Sequence, residues 1–143
     1  MDEVYVYALK LLRGHDYTVA ELGEKLTAKF GPVPGEVMDR LRRKNFLNDR
    51  RFAENYTAKR KSRGPEVVRQ ELAARGVARE IIDEILSQTD WPSLREALAA
   101  KINVWKLRAP LQSRDAARLF RVLLRLGYDE DAIRDELEQL RER

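Results

Sequence analysis

Apolar residues along this chain recur at intervals of three and four, and no segment alternates convincingly with a period of two. Such a pattern predicts an all-α protein. Gly14, Gly31, Gly64, Gly76 and Gly127 stand where apolar periodicity stops, the position of a helix end that needs positive φ. Pro32, Pro34, Pro65, Pro92 and Pro110 lie near breaks or in first turns, where a missing N–H costs little. Thr18 with Glu21 makes a capping box, and Asn48 and Asp129 are suited to cap the runs that follow them. Between these signals the spacing predicts nine helices, over about 3–13, 18–30, 35–44, 49–63, 65–75, 79–87, 92–105, 113–125 and 129–141.

The chain also repeats itself. Counting from Gly31, Gly76 and Gly127, the sixth residue is Val37, Ile82 and Ile133, and the tenth is Leu41, Leu86 and Leu137. Leu72 and Leu123 lie four residues before the second and third of these glycines, while Leu26 lies five before the first. The same i, i+4 apolar pair is therefore offered three times to a preceding helix. The glycines are 45 and 51 residues apart, within or close to the period of three-helix solenoid repeats. The expected organisation is three tandem three-helix repeats, over 1–46, 47–89 and 90–143. Units this small share a core with their neighbours, so the expected shape is an elongated, curved, solenoid-like body suited to a filament or polynucleotide.

Charge sharpens the picture because it is segmented. Residues 1–39 hold 4 basic and 7 acidic side chains, residues 40–79 hold 13 and 4, and residues 80–143 hold 11 and 13. Within the last segment, residues 95–125 carry 8 basic against 2 acidic, and residues 126–143 carry 3 against 7. Two basic zones between acidic ones suit an acidic partner better than a uniform coating would. Arg outnumbers Lys by 20 to 8, which favours planar contacts with phosphate or carboxylate. There is no Cys for a disulfide or thiolate metal site, and no apolar run approaches the roughly 20 residues that span a bilayer. These features predict a cytoplasmic protein with no membrane partner.

Candidate chemistry for catalysis is sparse. His15, the only histidine, sits in the turn-like GHD, and no HExxH, Gly-rich phosphate loop, CxxC or GxSxG occurs. Asp129, Glu130 and Asp131 fall in a helix first turn, where carboxylates complement the helix dipole rather than gather a metal. The chain is read as a non-enzyme with no cofactor, metal or small-molecule substrate. Trp91, Trp105, Phe46, Phe52 and Tyr56 are read as packing residues rather than base-stacking platforms.

The stretch LNDRRFAENYTAKRKSRG, residues 47–64, is where cations concentrate. On a helical projection Phe52, Ala53 and Tyr56 form a core stripe, with Arg50, Glu54 and Lys61 opposite. Glu54, four residues after Arg50, suggests an internal ion pair. The dipole of one helix end accounts for one or two of Lys59, Arg60, Lys61 and Arg63, hardly for four. Arg40, Arg42, Arg43 and Lys44 close the preceding helix, and Arg69 and Arg75 follow in the next. The candidate partner-binding set is Arg42, Arg43, Lys44, Arg50, Arg51, Lys59, Arg60, Lys61, Arg63, Arg69 and Arg75.

These residues carry a resemblance. The order ALKLL, TVAELGEKL, LNDRRFAENYTAKRKSRGPEVVRQELAARGV and FRVLLRLGY, then IRDEL, resembles the RecX family of bacterial recombination regulators. Its D-[DER]-x-F-[AV]-x-x-Y segment matches Asp49, Arg50, Arg51, Phe52, Ala53 and Tyr56. Its R-x-x-G-P element is represented by Arg63, Gly64 and Pro65, and its E-L-x-x-[RK]-G-[IV] element by Glu71, Leu72, Arg75, Gly76 and Val77. The chain departs from the family at GHDYT and at Leu126, Gly127 and Tyr128, each place with fewer cations than usual. The resemblance implies three tandem three-helix repeats and a partner, the RecA filament on single-stranded DNA. It implies binding in the filament groove and suppression of filament growth, ATP hydrolysis, strand exchange and co-protease activity, with consequences for DNA repair, recombination and the SOS response. It also implies direct contact with single-stranded DNA, duplex DNA being a second form. The alternative is a helical regulator that binds DNA directly and acts without RecA; Asn48 and Asn55 are poor candidates for reading bases.

Overall fold

The computed structural model describes residues 2–141. Among them the protein is all-α, with helices α1 (Asp2–Gly14), α2 (Val19–Phe30), α3 (Gly35–Arg43), α4 (Asp49–Lys59), α5 (Pro65–Ala74), α6 (Arg79–Gln88), α7 (Leu94–Trp105), α8 (Ser113–Arg125) and α9 (Glu130–Leu140). A 3-10 turn, Lys61–Arg63, lies between α4 and α5. The residues gather into two compact units, one of Met1–Lys59 and Arg69–Thr89, the other of Arg60–Val68 and Asp90–Arg143.

In unit one, Ala8, Leu22, Leu26, Val37, Leu41 and Leu47 form a buried cluster from α1, α2, α3 and the residue before Asn48, with Tyr7, Phe30 and Met38 packed at its edge. α4 packs on α6, and Phe52, Ala53, Tyr56, Leu72, Ile82, Ile85 and Leu86 are all buried. In unit two, Leu98, Leu111, Leu119, Leu123, Ile133 and Leu137 are the buried cluster, flanked by Trp105, Phe120 and Tyr128. Val37, Ile82 and Ile133, equivalent by spacing, are at most 2% exposed, so the repeated sequence positions do the same packing work. Truncating any such buried Leu or Ile to Ala costs about 2–5 kcal/mol.

Cap chemistry follows the sequence closely. The Thr18 hydroxyl accepts the Glu21 N–H at 3.1 Å, and a Glu21 carboxylate oxygen accepts the Thr18 N–H at the same distance. Asp129 accepts the Ala132 N–H at 3.0 Å and Glu130 pairs with Arg134 at 2.8 Å, so this acidic first turn is used for capping and an ion pair. His15 lies exposed in the turn between α1 and α2, its ring 4.5 Å from that of Tyr17.

Four local expectations are revised. Gly14 is the last residue of α1 and, unlike Gly31, Gly64, Gly76 and Gly127, does not adopt positive φ. The helix expected over 49–63 ends at Lys59; the N–H groups of Arg63 and Gly64 bond three residues back, to Arg60 and Lys61. The chain leaves the helical path to place Gly64, φ 84°, where a Cβ would come to 3.0 Å from the Leu126 carbonyl oxygen. Lys61 and Arg63 therefore do not follow the face assignment of a continuous helix. α7 starts at Leu94 rather than Pro92, because Ser93 and Glu96 form a capping box whose S-x-x-E signature is present in the sequence. Phe46 is 44% exposed rather than core, because Asn45 turns at φ 63° and the next residue, Leu47, takes the buried position.

Candidate polyanion interface

The candidate cations sort into those that hold unit one together and those that face outward. Arg51 is a loop clamp: its guanidinium donates to the carbonyls of Asn45 at 2.9 Å and Phe46 at 3.4 Å, closing the α3–α4 connection. Asn48 reinforces that turn, accepting the Arg51 N–H and donating to the Asn45 side chain, each at 3.0 Å. Asp49 accepts the Val19 N–H at 2.8 Å, so it supplies α2 with an extra N-terminal acceptor from α4.

Arg50 pairs not with Glu54 in its own helix but with Glu84 of α6, at 2.8 Å. The bond keeps Glu84 below the usual carboxylate range and raises the Arg50 guanidinium above its ordinary value. Arg69 bonds Asp83, which Arg79 also approaches at 3.8 Å, and the Arg69 hydrogen bond holds the Asp83 carboxyl below its ordinary value. Arg75 contacts Glu21 at 3.0 Å, and its guanidinium carbon lies 5.0 Å from the Tyr56 ring centroid. Its pKa is raised, first by a hydrogen bond with the Tyr56 side chain and then by the Glu21 charge, against the opposing effect of partial burial.

Arg42, Arg43 and Lys44 are exposed at the end of α3, where they complement the negative helix terminus. Arg42 and Arg43 line a cleft of about 670 Å³ in unit one, together with Asp39, Asn48, Asp49 and Arg50. With Asp49 spent on Val19 and Arg50 on Glu84, Arg42 and Arg43 are the side chains of this cleft best placed to meet an external anion. Lys59 is exposed at the last position of α4. Arg60, Lys61 and Arg63 belong to unit two, in and beside the 3-10 turn, with Arg63 the most outward of the three.

One row of cations escaped the candidate set. Arg114, Arg118, Arg121 and Arg125 on α8 are all exposed. Their signal was the basic zone over residues 95–125, outweighed by the larger net charge of residues 40–79.

Short amphipathic helices with outward-facing cations place the chain among all-α, helical-repeat proteins. Similarity to known proteins narrows that class. A family model described as "RecX, second three-helix domain" matches residues 48–86, the span of α4, α5 and α6. The Regulatory protein RecX of Halorhodospira halophila is 36% identical over 132 residues, covering 89% of this chain and 81% of that one. Its namesake from Trichlorobacter lovleyi is 35% identical over 147 residues, covering 96% and 95%. The crystal structure of RecX from Lactobacillus salivarius has the same fold, with a TM-score of 0.73 over 96% of both chains at 21% identity. The chain belongs to the RecX family of regulatory proteins. No helix among the described residues is long and apolar enough to cross a membrane.

Proposed function

We propose that this chain is a negative regulator of RecA, which binds in the groove of the RecA filament on single-stranded DNA and restrains its growth, ATP hydrolysis, strand exchange and co-protease activity. It acts in the cytoplasm without catalysis of its own, as three tandem three-helix repeats over 1–46, 47–89 and 90–143. The observation that carries this reading is the match to RecX regulatory proteins along most of the chain. In unit one the contact falls to Arg42, Arg43, Lys44 and Lys59, the candidate cations there whose side chains make neither an ion pair nor a hydrogen bond among the described residues. Arg60, Lys61 and Arg63 form a second candidate group. Arg50, Arg51, Arg69 and Arg75 act indirectly, by fixing the helices that present the others.

A base-reading regulator that works without RecA is less well supported, because the Asn48 side chain is committed to Asn45 and the Arg51 N–H. The test is extension of RecA filaments on single-stranded DNA followed by light scattering. Growth should stall when this protein is added and resume with a variant carrying Glu in place of Arg42, Arg43 and Lys44. Unchanged growth with the unaltered protein would refute the reading.

A further inference from the structure

We infer that α8 carries a second polyanion site, a row of arginines that binds the phosphate backbone of a nucleic-acid strand without reading its bases. The inference does not rest on the RecA reading and places contact in unit two, which that reading leaves to the 3-10 turn.

At about 100° per residue, Arg114, Arg118, Arg121 and Arg125 fall within about 60° of arc on one side of α8. Leu119 and Leu123, both 0% exposed, lie on the opposite side. The rise of about 1.5 Å per residue spreads the four guanidinium stems along roughly 16 Å, a linear array. Among the described residues no carboxylate pairs with any of the four, whereas Arg95 pairs with Glu136 and Arg134 with Glu130 in the same unit. Arg118 instead lies 3.9 Å from the Trp105 ring centroid, a cation–π contact that orients the guanidinium and leaves its charge uncompensated.

Helix stability does not explain this row. Arg121 and Arg125 suit the C-terminal end of α8, but Arg114 stands in its first turn, where a cation opposes the dipole. Like charges spaced i, i+4, as in Arg114 with Arg118 and Arg121 with Arg125, cost a helix a few tenths of a kcal/mol each. Solubility would be served equally by mixed signs. The row therefore costs the isolated helix stability that an external anion would return.

The occupant is a phosphate backbone for three reasons. A bilayer needs an apolar face, and that of α8 is spent on the core. A protein interface is centred on apolar or aromatic residues, and within α8 the exposed apolar residues are Ala117 and the 44% exposed Leu124, while the half-buried Phe120 of the adjoining cavity is covered by Arg134. Arginines in a line, with no Asn or Gln in α8 to read base edges, match a linear polyanion irrespective of sequence.

The experiment is fluorescence anisotropy of labelled oligothymidylate and oligouridylate against this protein alone, titrated at several salt concentrations. The variant Arg114→Ala, Arg121→Ala, Arg125→Ala leaves the Arg118–Trp105 contact in place. It should bind more weakly and lower the slope of log K against log salt by about 2, at roughly 0.7 per lost phosphate contact on a single strand. Lys at the same three positions should keep the slope. Loss with either oligonucleotide supports the row and says which strand it prefers. An Ala variant of unchanged helicity and melting that keeps the original affinity and slope on both would overturn the inference, as would failure of the unaltered protein to bind either strand.

Discussion

The hydroxyl of Thr18 donates a 2.6 Å hydrogen bond to the main-chain carbonyl of Arg75, 57 residues away, while accepting the Glu21 N–H that caps α2. The start of α2 is thus fastened to the end of α5, and the Glu21 carboxylate completes the joint by receiving the Arg75 guanidinium at 3.0 Å. Thr18→Val removes both bonds of a fully buried hydroxyl, and the expected loss is about 2–3 kcal/mol. Thr18→Ser should lose less than about 1 kcal/mol, since the oxygen stays. Urea unfolding of the two variants checks this; a larger loss for Thr18→Ser than for Thr18→Val would show that the methyl group, not the hydroxyl, matters.

Gly76 is next in the chain and has φ 88°, and a Cβ there would come to 2.5 Å from the Ala20 Cβ. Gly76→Ala combines left-handed strain with a collision and should cost about 3 kcal/mol. Gly127→Ala has comparable strain at φ 99° but open space, so about 1–2 kcal/mol is expected. Adding Ala20→Gly to Gly76→Ala removes the collision and should recover part of the loss; thermal melts of the three variants decide.

Acid should weaken the α4–α6 and α5–α6 connections. Asp83 and Glu84 have depressed carboxyl pKa values in the folded protein, because Arg69 and Arg50 respectively hydrogen-bond their charged forms. The resulting stabilisation is fully present above the unfolded-state values, near 4. It is lost as pH falls through the lower folded values. The paired substitution Asp83→Asn, Glu84→Gln should flatten the decline of the urea midpoint below about pH 4, and added salt should shrink the difference because both carboxylates are solvent-exposed.

Binding and folding roles should separate cleanly among the candidate arginines. Charge reversal at Arg42, Arg43 and Lys44 should abolish most regulation of RecA while changing stability by no more than about 0.5 kcal/mol per site. Arg51→Ala, which opens the clamp on Asn45 and Phe46, should cost about 1 kcal/mol or more of stability. Paired melting and filament-growth measurements distinguish the two patterns.

Much of the fold was legible because it rests on local signals. The glycines at 31, 76 and 127 and the apolar pairs after them marked the repeated packing positions, and Val37, Ile82 and Ile133 are buried as expected. What the sequence concealed were choices made in three dimensions. Arg50 had Glu54 one turn away, yet the carboxylate it meets, Glu84, is 34 residues distant. Arg51 looked like one more surface cation, and only the left-handed turn at Asn45 brings two carbonyls within its reach. Gly64, at φ 84° after the 3-10 turn, sits against Leu126 within unit two, a fit that no local pattern encodes. The α8 row follows from the same helical projection as α4, but its charge is masked by the larger basic excess at the centre of the chain.

Regulation of RecA is tested most directly by the rate of ATP hydrolysis by RecA on single-stranded DNA as this protein is added. The rate should fall at substoichiometric amounts, and charge reversal at Arg42, Arg43 and Lys44 should relieve the fall. An ATPase unaffected by equimolar protein would contradict regulation of RecA.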